Sequence, residues 1–395
     1  MKIRNITPSK RIQSIKPYFY VSRNQNIKEL SATGIEIIRL DIGAPDLPPS
    51  RDITEVLITN VNKDNTHSYT PIGGSDEFRK AISAYYKKRF DVEVDPQIES
   101  LGLIGSKEGL FNIGQSLLDK GDVSLVPDPG YPVYAATSVI AGADIVHVPL
   151  NEQNKYHAVF DHIPNEKLKN AKIVWLNYPN NPTGASADIT YYEYVVDFFK
   201  NTNAIIINDA AYSEVSYGDT AVPSILEVDG AKEFCVEINS LSKSFNMAGW
   251  RLGMAVGCEK VLNILNTYKS QIDSSTFSPI LSAGCKALDY DSEWILQRNE
   301  IYRTRRDLIY NSLIRMGFQT KLPTAGMYIW AKHSGLFSNS LKFSDKILND
   351  IGVSITPGVI FGQQGESHLR FSFGLANNKI IEAMRRLEAW IETNS

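Results

Sequence analysis

Between about Asp46 and Tyr290, short apolar segments alternate with amphipathic ones, and that alternation leaves few folds open to the chain. Val123 to Val126, Ile145 to Leu150, Ile173 to Leu176, Ala204 to Asn208, Val236 to Ser240 and Met254 to Gly257 read as buried strands. Between them lie stretches of helical periodicity such as Tyr191 to Lys200. Strands that alternate with helices in this way build a mostly parallel sheet with helices on both faces. Further on, a long charged helix is expected over Ser292 to Met316. Short strands follow at Met327 to Trp330, Val353 to Thr356 and Leu369 to Phe373, then a last helix from Lys379 to Trp390. This predicts a large domain over 46–290 and a smaller α+β domain over 291–395, with residues 1–45 as an N-terminal arm that joins the smaller domain and a strand over Ile35 to Ile42. Ligands of such sheets bind beyond the carboxyl ends of the strands, here between the two domains.

Three of those strand ends carry groups suited to one kind of chemistry. Lys243 follows the segment Phe234, Val236, Ile238, which alternates as a strand does, and lies among small and hydroxyl residues in Ser240-Leu241-Ser242-Lys243-Ser244. An amine that condenses with an aldehyde needs a compact, partly desolvated site that lowers its pKa. Arg251, eight positions on, and Ser240 offer a guanidinium and a hydroxyl to a phosphate. Asp209 ends the apolar run Ala204 to Ile207 and is a candidate partner for a protonated ring nitrogen. Tyr212 and Asn181, the latter in Asn180-Asn181-Pro182-Thr183-Gly184, are candidate donors to a phenolic oxygen. Each residue alone has an ordinary structural explanation: a surface lysine, a helix-capping aspartate, a turn asparagine. Their order on successive strand ends argues against coincidence.

The run Ser240 to Gly253 resembles, without a gap, the lysine motif of the class I and II aminotransferases among the fold-type I pyridoxal phosphate enzymes. The similarity continues through Ile42-Gly43-Ala44-Pro45-Asp46, Tyr69 with Gly73-Gly74, Gly105-Ser106-Lys107-Glu108-Gly109, Pro127 to Pro132, Asn177 to Gly184, Asp209-Ala210-Ala211-Tyr212 and His368 to Ser372. Around Ser106, Tyr131 and Asp209 it is most like LL-diaminopimelate aminotransferases and their aspartate and alanine relatives.

The resemblance implies pyridoxal 5'-phosphate as cofactor, with Lys243 as both its Schiff-base partner and the proton shuttle and Asp209 on the ring nitrogen. It places Asn181 and Tyr212 at the ring oxygen and Tyr131 against the ring face. Ser106, Lys107 and Glu108 open a helix expected from Leu110, Phe111, Ile113 and Leu117, and a helix N-terminus suits a phosphate. Ser240 and Arg251 complete that phosphate site, and Tyr69 reaches it from a second subunit, which implies a homodimer with shared active sites. Arg370 is expected to clamp the substrate α-carboxylate with its planar fork, and Gly43 to offer its backbone amide to the same group. Should Arg370 not do so, Arg39 and Arg23 are the alternative cations. Lys16-Pro17-Tyr18-Phe19-Tyr20 either closes over the substrate or packs as an aromatic patch. The chain departs from plant-type diaminopimelate enzymes at Tyr69-Thr70-Pro71-Ile72-Gly73-Gly74, which holds no carboxylate to read a distal amino group.

Composition agrees with this reading. The 395 residues are 43% hydrophobic, enough for large cores, and a net charge of -3 gives no reason to expect nucleic acid or an anionic membrane as partner. Cys235, Cys258 and Cys285 are scattered without metal spacing, as in a reducing cytoplasm, and the six histidines show no paired ligand spacing. No apolar run approaches the ~20 residues of a membrane helix, and the Lys- and Arg-rich first thirty residues lack a secretory core. Three functions remain. The leading one is an aminotransferase that moves an α-amino group between an L-amino acid of diaminopimelate, aspartate or alanine type and a 2-oxo acid, by way of pyridoxamine phosphate. The others are a β-eliminating carbon–sulfur lyase on the same fold and a non-catalytic regulator. No DNA-binding segment precedes Ile35 to favour the last.

Overall fold

A computed structural model describes residues 6–218, 221–333 and 335–394. In chain order the strands are β1 (Ile38–Arg39), β2 (Ser100–Leu103), β3 (Val123–Asp128), β4 (Asp144–Pro149), β5 (Ala171–Asn177), β6 (Ile205–Asp209) and β7 (Cys235–Ser240). They continue with β8 (Gly253–Gly257), β9 (Gln319–Thr320), β10 (Tyr328–Lys332), β11 (Val353–Ser354), β12 (Thr356–Pro357) and β13 (His368–Ser372). The principal sheet has seven strands in the order β2-β8-β7-β6-β5-β3-β4. Its β4-β3-β5-β6-β7 ladder is parallel, and β8 runs antiparallel to both of its neighbours. The reversal has a local cause. Residues 241–252 form a one-turn helix, Leu241–Ser244, and a 3₁₀ turn, Ala248–Trp250, that stay at the carboxyl edge of the sheet, so the chain re-enters beside the strand it left.

The expected strands of the large sheet are all present within one or two residues. β2 has no counterpart among the expected strands. Its four residues, Ser-Leu-Gly-Leu, include a glycine and give too short a pattern to stand out. The strand expected over Ile35 to Ile42 shrinks to β1, which pairs in parallel with β11 at Ile38 and Arg39 only. The strand expected over Val353 to Thr356 divides at Ile355 into β11 and β12, which belong to different sheets. β12, β13, β10 and β9 form a four-stranded antiparallel sheet. The expected helices appear as Ile189–Phe199, Ser292–Arg315 and Asn377–Asn394.

Side-chain burial follows the same division. One face of the large sheet packs Ile173, Trp175, Ile207, Val236 and Ile238 against helices, with Trp175 stacked on Tyr134 at 5.1 Å. The smaller sheet packs Ile329, Leu369 and Phe371 against Tyr302, Ile309 and Leu387 of the two C-terminal helices. Each fully buried Leu, Ile or Phe contributes roughly 1.5–3 kcal/mol through removal from water. Tyr212 packs with this second cluster although its chain segment follows β6, so the cleft floor is held from both sides.

Candidate active site

A cleft of about 390 Å³ opens where β5, β6 and β7 end side by side. Asp209 is the last residue of β6, Asn181 lies four residues beyond β5, and Lys243 three beyond β7. Adjacent parallel strands ending at one edge therefore bring together residues scattered over 62 positions of sequence. All three line the cleft, together with Tyr131, Tyr212 and Arg370.

Asp209 is 5% exposed. Tyr134 donates its hydroxyl to Oδ2 at 2.7 Å, and Oδ1 is buried with no partner. Burial pushes the carboxyl up to about 6, against the opposing pull of Tyr134, the Lys243 charge and the nearby Ala211 amide. Burial likewise brings Lys243 down to about 8, with Asp209 acting against the fall and Arg251 and Arg370 adding to it. A lysine near 8 is partly neutral at ordinary pH and able to act as nucleophile or base.

Arg370 projects from β13 and is 3% exposed. Nη1 donates to Asn181 Oδ1 at 2.7 Å, and Nη2 to the Tyr20 hydroxyl at 2.7 Å and the Asp41 carbonyl at 2.8 Å. The ring of Tyr328 lies 4.1 Å from the guanidinium carbon, and Nε is buried without a partner. The fork is thus fixed in direction before any ligand arrives. Tyr212 and Tyr328 share a hydrogen bond at 2.6 Å, and burial, then Tyr328, raises the Tyr212 phenol well above its ordinary value. At Gly43 a Cβ would stand 1.9 Å from the Tyr328 hydroxyl, so only glycine fits beside that ring.

Opposite, the helix Ser106–Leu117 points its N-terminus at the cleft, with Ser106 and Lys107 on the wall. Arg251 lies against it: a Cβ on Gly105 would be 2.3 Å from Arg251 Nη2, and one on Gly253 would be 2.9 Å from the Ser106 amide nitrogen. Two glycines let a guanidinium and a helix N-terminus share one corner, which suits an anion. Burial, then Arg251, lowers the Lys107 ammonium, whose Nζ sits 4.0 Å from the centre of the Tyr18 ring.

Several anticipated residues lie elsewhere. Glu108 turns its carboxylate away from the cleft to the Ile104 amide at 3.1 Å, to Asn112 and to Lys269 at 3.4 Å. Its carboxylate, acidic in the first helical turn, complements its own helix, and its backbone amide stays at the helix N-terminus with those of Ser106 and Lys107. Ser240 is buried beneath the wall and accepts the Ser242 amide at 3.2 Å, so Ser242 takes the lining position, within 3.5 Å of Arg251. Tyr69 is 93% exposed and apart from the cleft of its own chain. Of the alternative cations, Arg39 lines the cleft and pairs with Asp41 at 2.7 Å, whereas Arg23 is spent on Asp345 at 2.8 Å.

Other site residues escaped the sequence reading. Tyr328 has no local motif, since a strand tyrosine looks like a core residue. Tyr134 had a signal: Tyr131 is the N-cap of the helix that starts at Pro132 and Tyr134 lies one turn on, with the two rings 5.8 Å apart. The segment from Tyr18 closes over the cleft as a helix, Phe19–Ala32, that brings Tyr20 onto Arg370.

Comparison with known proteins places this geometry. The profile of the family "Aminotransferase class I and II" matches residues 35–387. An LL-diaminopimelate aminotransferase of Natranaerobius thermophilus is 39% identical over 95% of this chain and 97% of its own length. One of Dehalococcoides mccartyi is 40% identical over 96% of this chain and 97% of its own. The substrate-bound structure of BacF from Bacillus subtilis superposes with a TM-score of 0.94 at 35% identity, covering 98% of both chains. Relatives named as aminotransferases do not favour the lyase alternative, and the family and its fold imply pyridoxal phosphate. This chain therefore belongs to the class I and II aminotransferases and is an enzyme that transfers amino groups.

Proposed function

We propose that the cleft holds pyridoxal 5'-phosphate and moves an amino group between an L-amino acid of the diaminopimelate, aspartate or alanine type and a 2-oxo acid. The observation that carries this reading is the buried, unpartnered Oδ1 of Asp209, an acceptor that a pyridinium N–H would satisfy. The donor set fits the rest of the group: Arg251, Ser106 and Ser242 with the helix N-terminus for the phosphate, Tyr131 for the ring face, Asn181 and Tyr212 for the ring oxygen. When bound, this cofactor supplies an aldehyde and an electron-withdrawing ring.

The chain's own residues divide the remaining work. Arg370 grips the α-carboxylate and so orients the Cα–H bond toward Lys243. Lys243 Nζ, brought down to about 8, takes that proton and later returns it. Asp209 keeps a proton on the ring nitrogen, and Tyr20 with the helix Phe19–Ala32 excludes water above Arg370. In this reading residues 46–290 carry the cofactor, while 291–395 and the N-terminal segment grip the substrate.

The names of the relatives favour diaminopimelate as donor. The exposure of Tyr69 supports a homodimer in which it serves the neighbouring subunit's phosphate, and three free cysteines support a reducing cytoplasm. Among the described residues no helix is long and apolar enough to cross a membrane. A half-reaction screen of purified holoenzyme tests the substrate: LL-diaminopimelate, aspartate, alanine and phenylalanine are each mixed with enzyme and release of the 2-oxo acid is followed. Diaminopimelate should react fastest. A preference of tenfold or more for another donor would reject it, and ammonia with pyruvate would restore the lyase.

A further inference from the structure

The helix Ser292–Arg315 turns Ile295, Arg298, Tyr302, Ile309 and Leu313 into the protein. Apolar residues are the ordinary occupants of such a stripe, yet Arg298 is 3% exposed. Its acceptors are all neutral. Nη1 donates to the main-chain carbonyls of Lys243, at 3.2 Å, and Ser244. Nη2 donates to the carbonyl of Glu214, and Asn299 Oδ1 accepts from Nη2 at 2.7 Å and from Nε at 3.2 Å. Asn299 itself donates to the Glu214 carbonyl at 3.0 Å. A buried guanidinium met only by neutral acceptors is costly, so the arrangement asks what it secures.

Its targets answer that question. Lys243 and Ser244 close the one-turn helix Leu241–Ser244, whose last carbonyls have no partner within the helix and carry partial negative charge. Glu214 lies two residues beyond Tyr212, in the turn that follows Asp209. One planar fork therefore ties the main chain beneath Lys243 to the main chain beneath Tyr212. The same helix continues to Arg305, paired with Asp46 at 2.6 Å, and Arg306, bonded to the Pro323 carbonyl at 2.8 Å, where it meets the smaller sheet.

We propose that Arg298 is a positioning residue that sets Lys243 relative to Asp209 and Tyr212, acting through main-chain carbonyls without touching substrate or cofactor. The inference rests on Lys243 being the reactive amine. Arginine suits the task because two separate Nη groups reach different segments at once, which a single ammonium cannot do.

The test uses Arg298→Lys, Arg298→Ala and Asn299→Ala. In cofactor-free protein, acylation of Lys243 is followed against pH by peptide mapping, with the surface lysine Lys120 as internal control. Arg298→Lys should move the Lys243 midpoint upward by half a pH unit or more and leave Lys120 unchanged. In holoenzyme, kcat should fall at least tenfold with KM within threefold. Asn299→Ala, which frees the fork without removing it, should shift both in the same direction by less. A groove of about 470 Å³ bordered by Leu47, Asn246 and Trp294 gives access to the position, so ethylguanidinium should partly restore Arg298→Ala. Equal rescue by ethylammonium would overturn the proposal, as would an unchanged Lys243 midpoint and kcat in Arg298→Lys, whatever its thermal stability. If Arg298→Ala does not fold, the other two variants decide. Borohydride reduction of wild-type holoenzyme separates the two levels: an adduct on another lysine rejects the assignment of Lys243, whereas an adduct on Lys243 with no shift in Arg298→Lys rejects Arg298 alone.

Discussion

Tyr134 donates its hydroxyl to Asp209 Oδ2 at 2.7 Å and leaves the buried Oδ1 as the carboxylate's unpartnered oxygen. The tyrosine is itself fixed by stacking on Trp175 at 5.1 Å, so the carboxylate's direction is set by the sheet core. Tyr134→Phe keeps the stack and removes the bond. A hydrogen bond to a charged group contributes about 1.5–3 kcal/mol, and its loss should lower kcat about tenfold while KM stays within twofold. The bond favours the ionised carboxylate, so the acid limb of the kcat profile should also move to higher pH. An unmoved limb would remove Tyr134 from the assignment.

Asp209→Asn retains shape but offers no charge to hold a proton on a ring nitrogen. Turnover should drop at least about a thousandfold, far more than cofactor content measured after desalting. Near wild-type turnover in this variant would mean that another group supports the ring.

Lys243→Ala removes anchor and proton carrier together. Activity should fall by about four orders of magnitude, and the borohydride-reducible cofactor adduct should vanish from the peptide that contains residue 243. Detection of the adduct elsewhere would transfer the role.

The same lysine leaves a mark on stability. Its value falls from 10.5 in the unfolded chain to about 8 in the fold, so between these pH values the unfolded state holds a proton that the folded state has released. Stability of the cofactor-free protein should accordingly rise with pH across that window. Lys243→Met should abolish the rise and be more stable at pH 7 by about 2 kcal/mol, somewhat less than the shift implies because Asp209 loses its ammonium neighbour. Urea unfolding at pH 7, 8, 9 and 10 measures both effects, and parallel curves for the two proteins would count against a buried, depressed lysine.

Arg370→Lys keeps charge and loses the fork. If the α-carboxylate binds there, kcat/KM should fall about a hundredfold for every amino acid tested, with cofactor content unchanged. A loss confined to dicarboxylic donors would assign Arg370 to the side chain, and no loss would pass the carboxylate to Arg39, which already lines the cleft.

Legibility in the sequence followed locality. Asp209, Lys243 and Asn181 were readable because each ends or follows an apolar run, and strand ends converge in a parallel sheet whatever the loops do. Ser240 stands one alternation inside the cleft wall, where its hydroxyl accepts the Ser242 amide. Neighbouring hydroxyls at 240 and 242 are equivalent in the sequence, and only the one-turn helix turns Ser242 outward to the cleft wall. Glu108 offers its amide at the helix N-terminus, as its position implies, while a buried lysine 161 residues away meets its carboxylate, a contact that no local pattern announces. Tyr328 and Arg298 act across 116 and 55 residues, and nothing in their own segments marks them, whereas Tyr20 stands in a legible aromatic run whose partner Arg370 lies 350 residues away.

The order β7-β6-β5 has a further consequence for how such a protein changes over time. In the proposed reading the groups at the reacting atoms sit at the ends of adjacent hydrogen-bonded strands, while those facing the rest of the substrate come from the Phe19–Ala32 helix and the Arg39–Asp41 segment. Mutations that redraw substrate preference can therefore accumulate in one part of the chain without disturbing the reaction in the other, so divergence in diet need not pass through loss of chemistry.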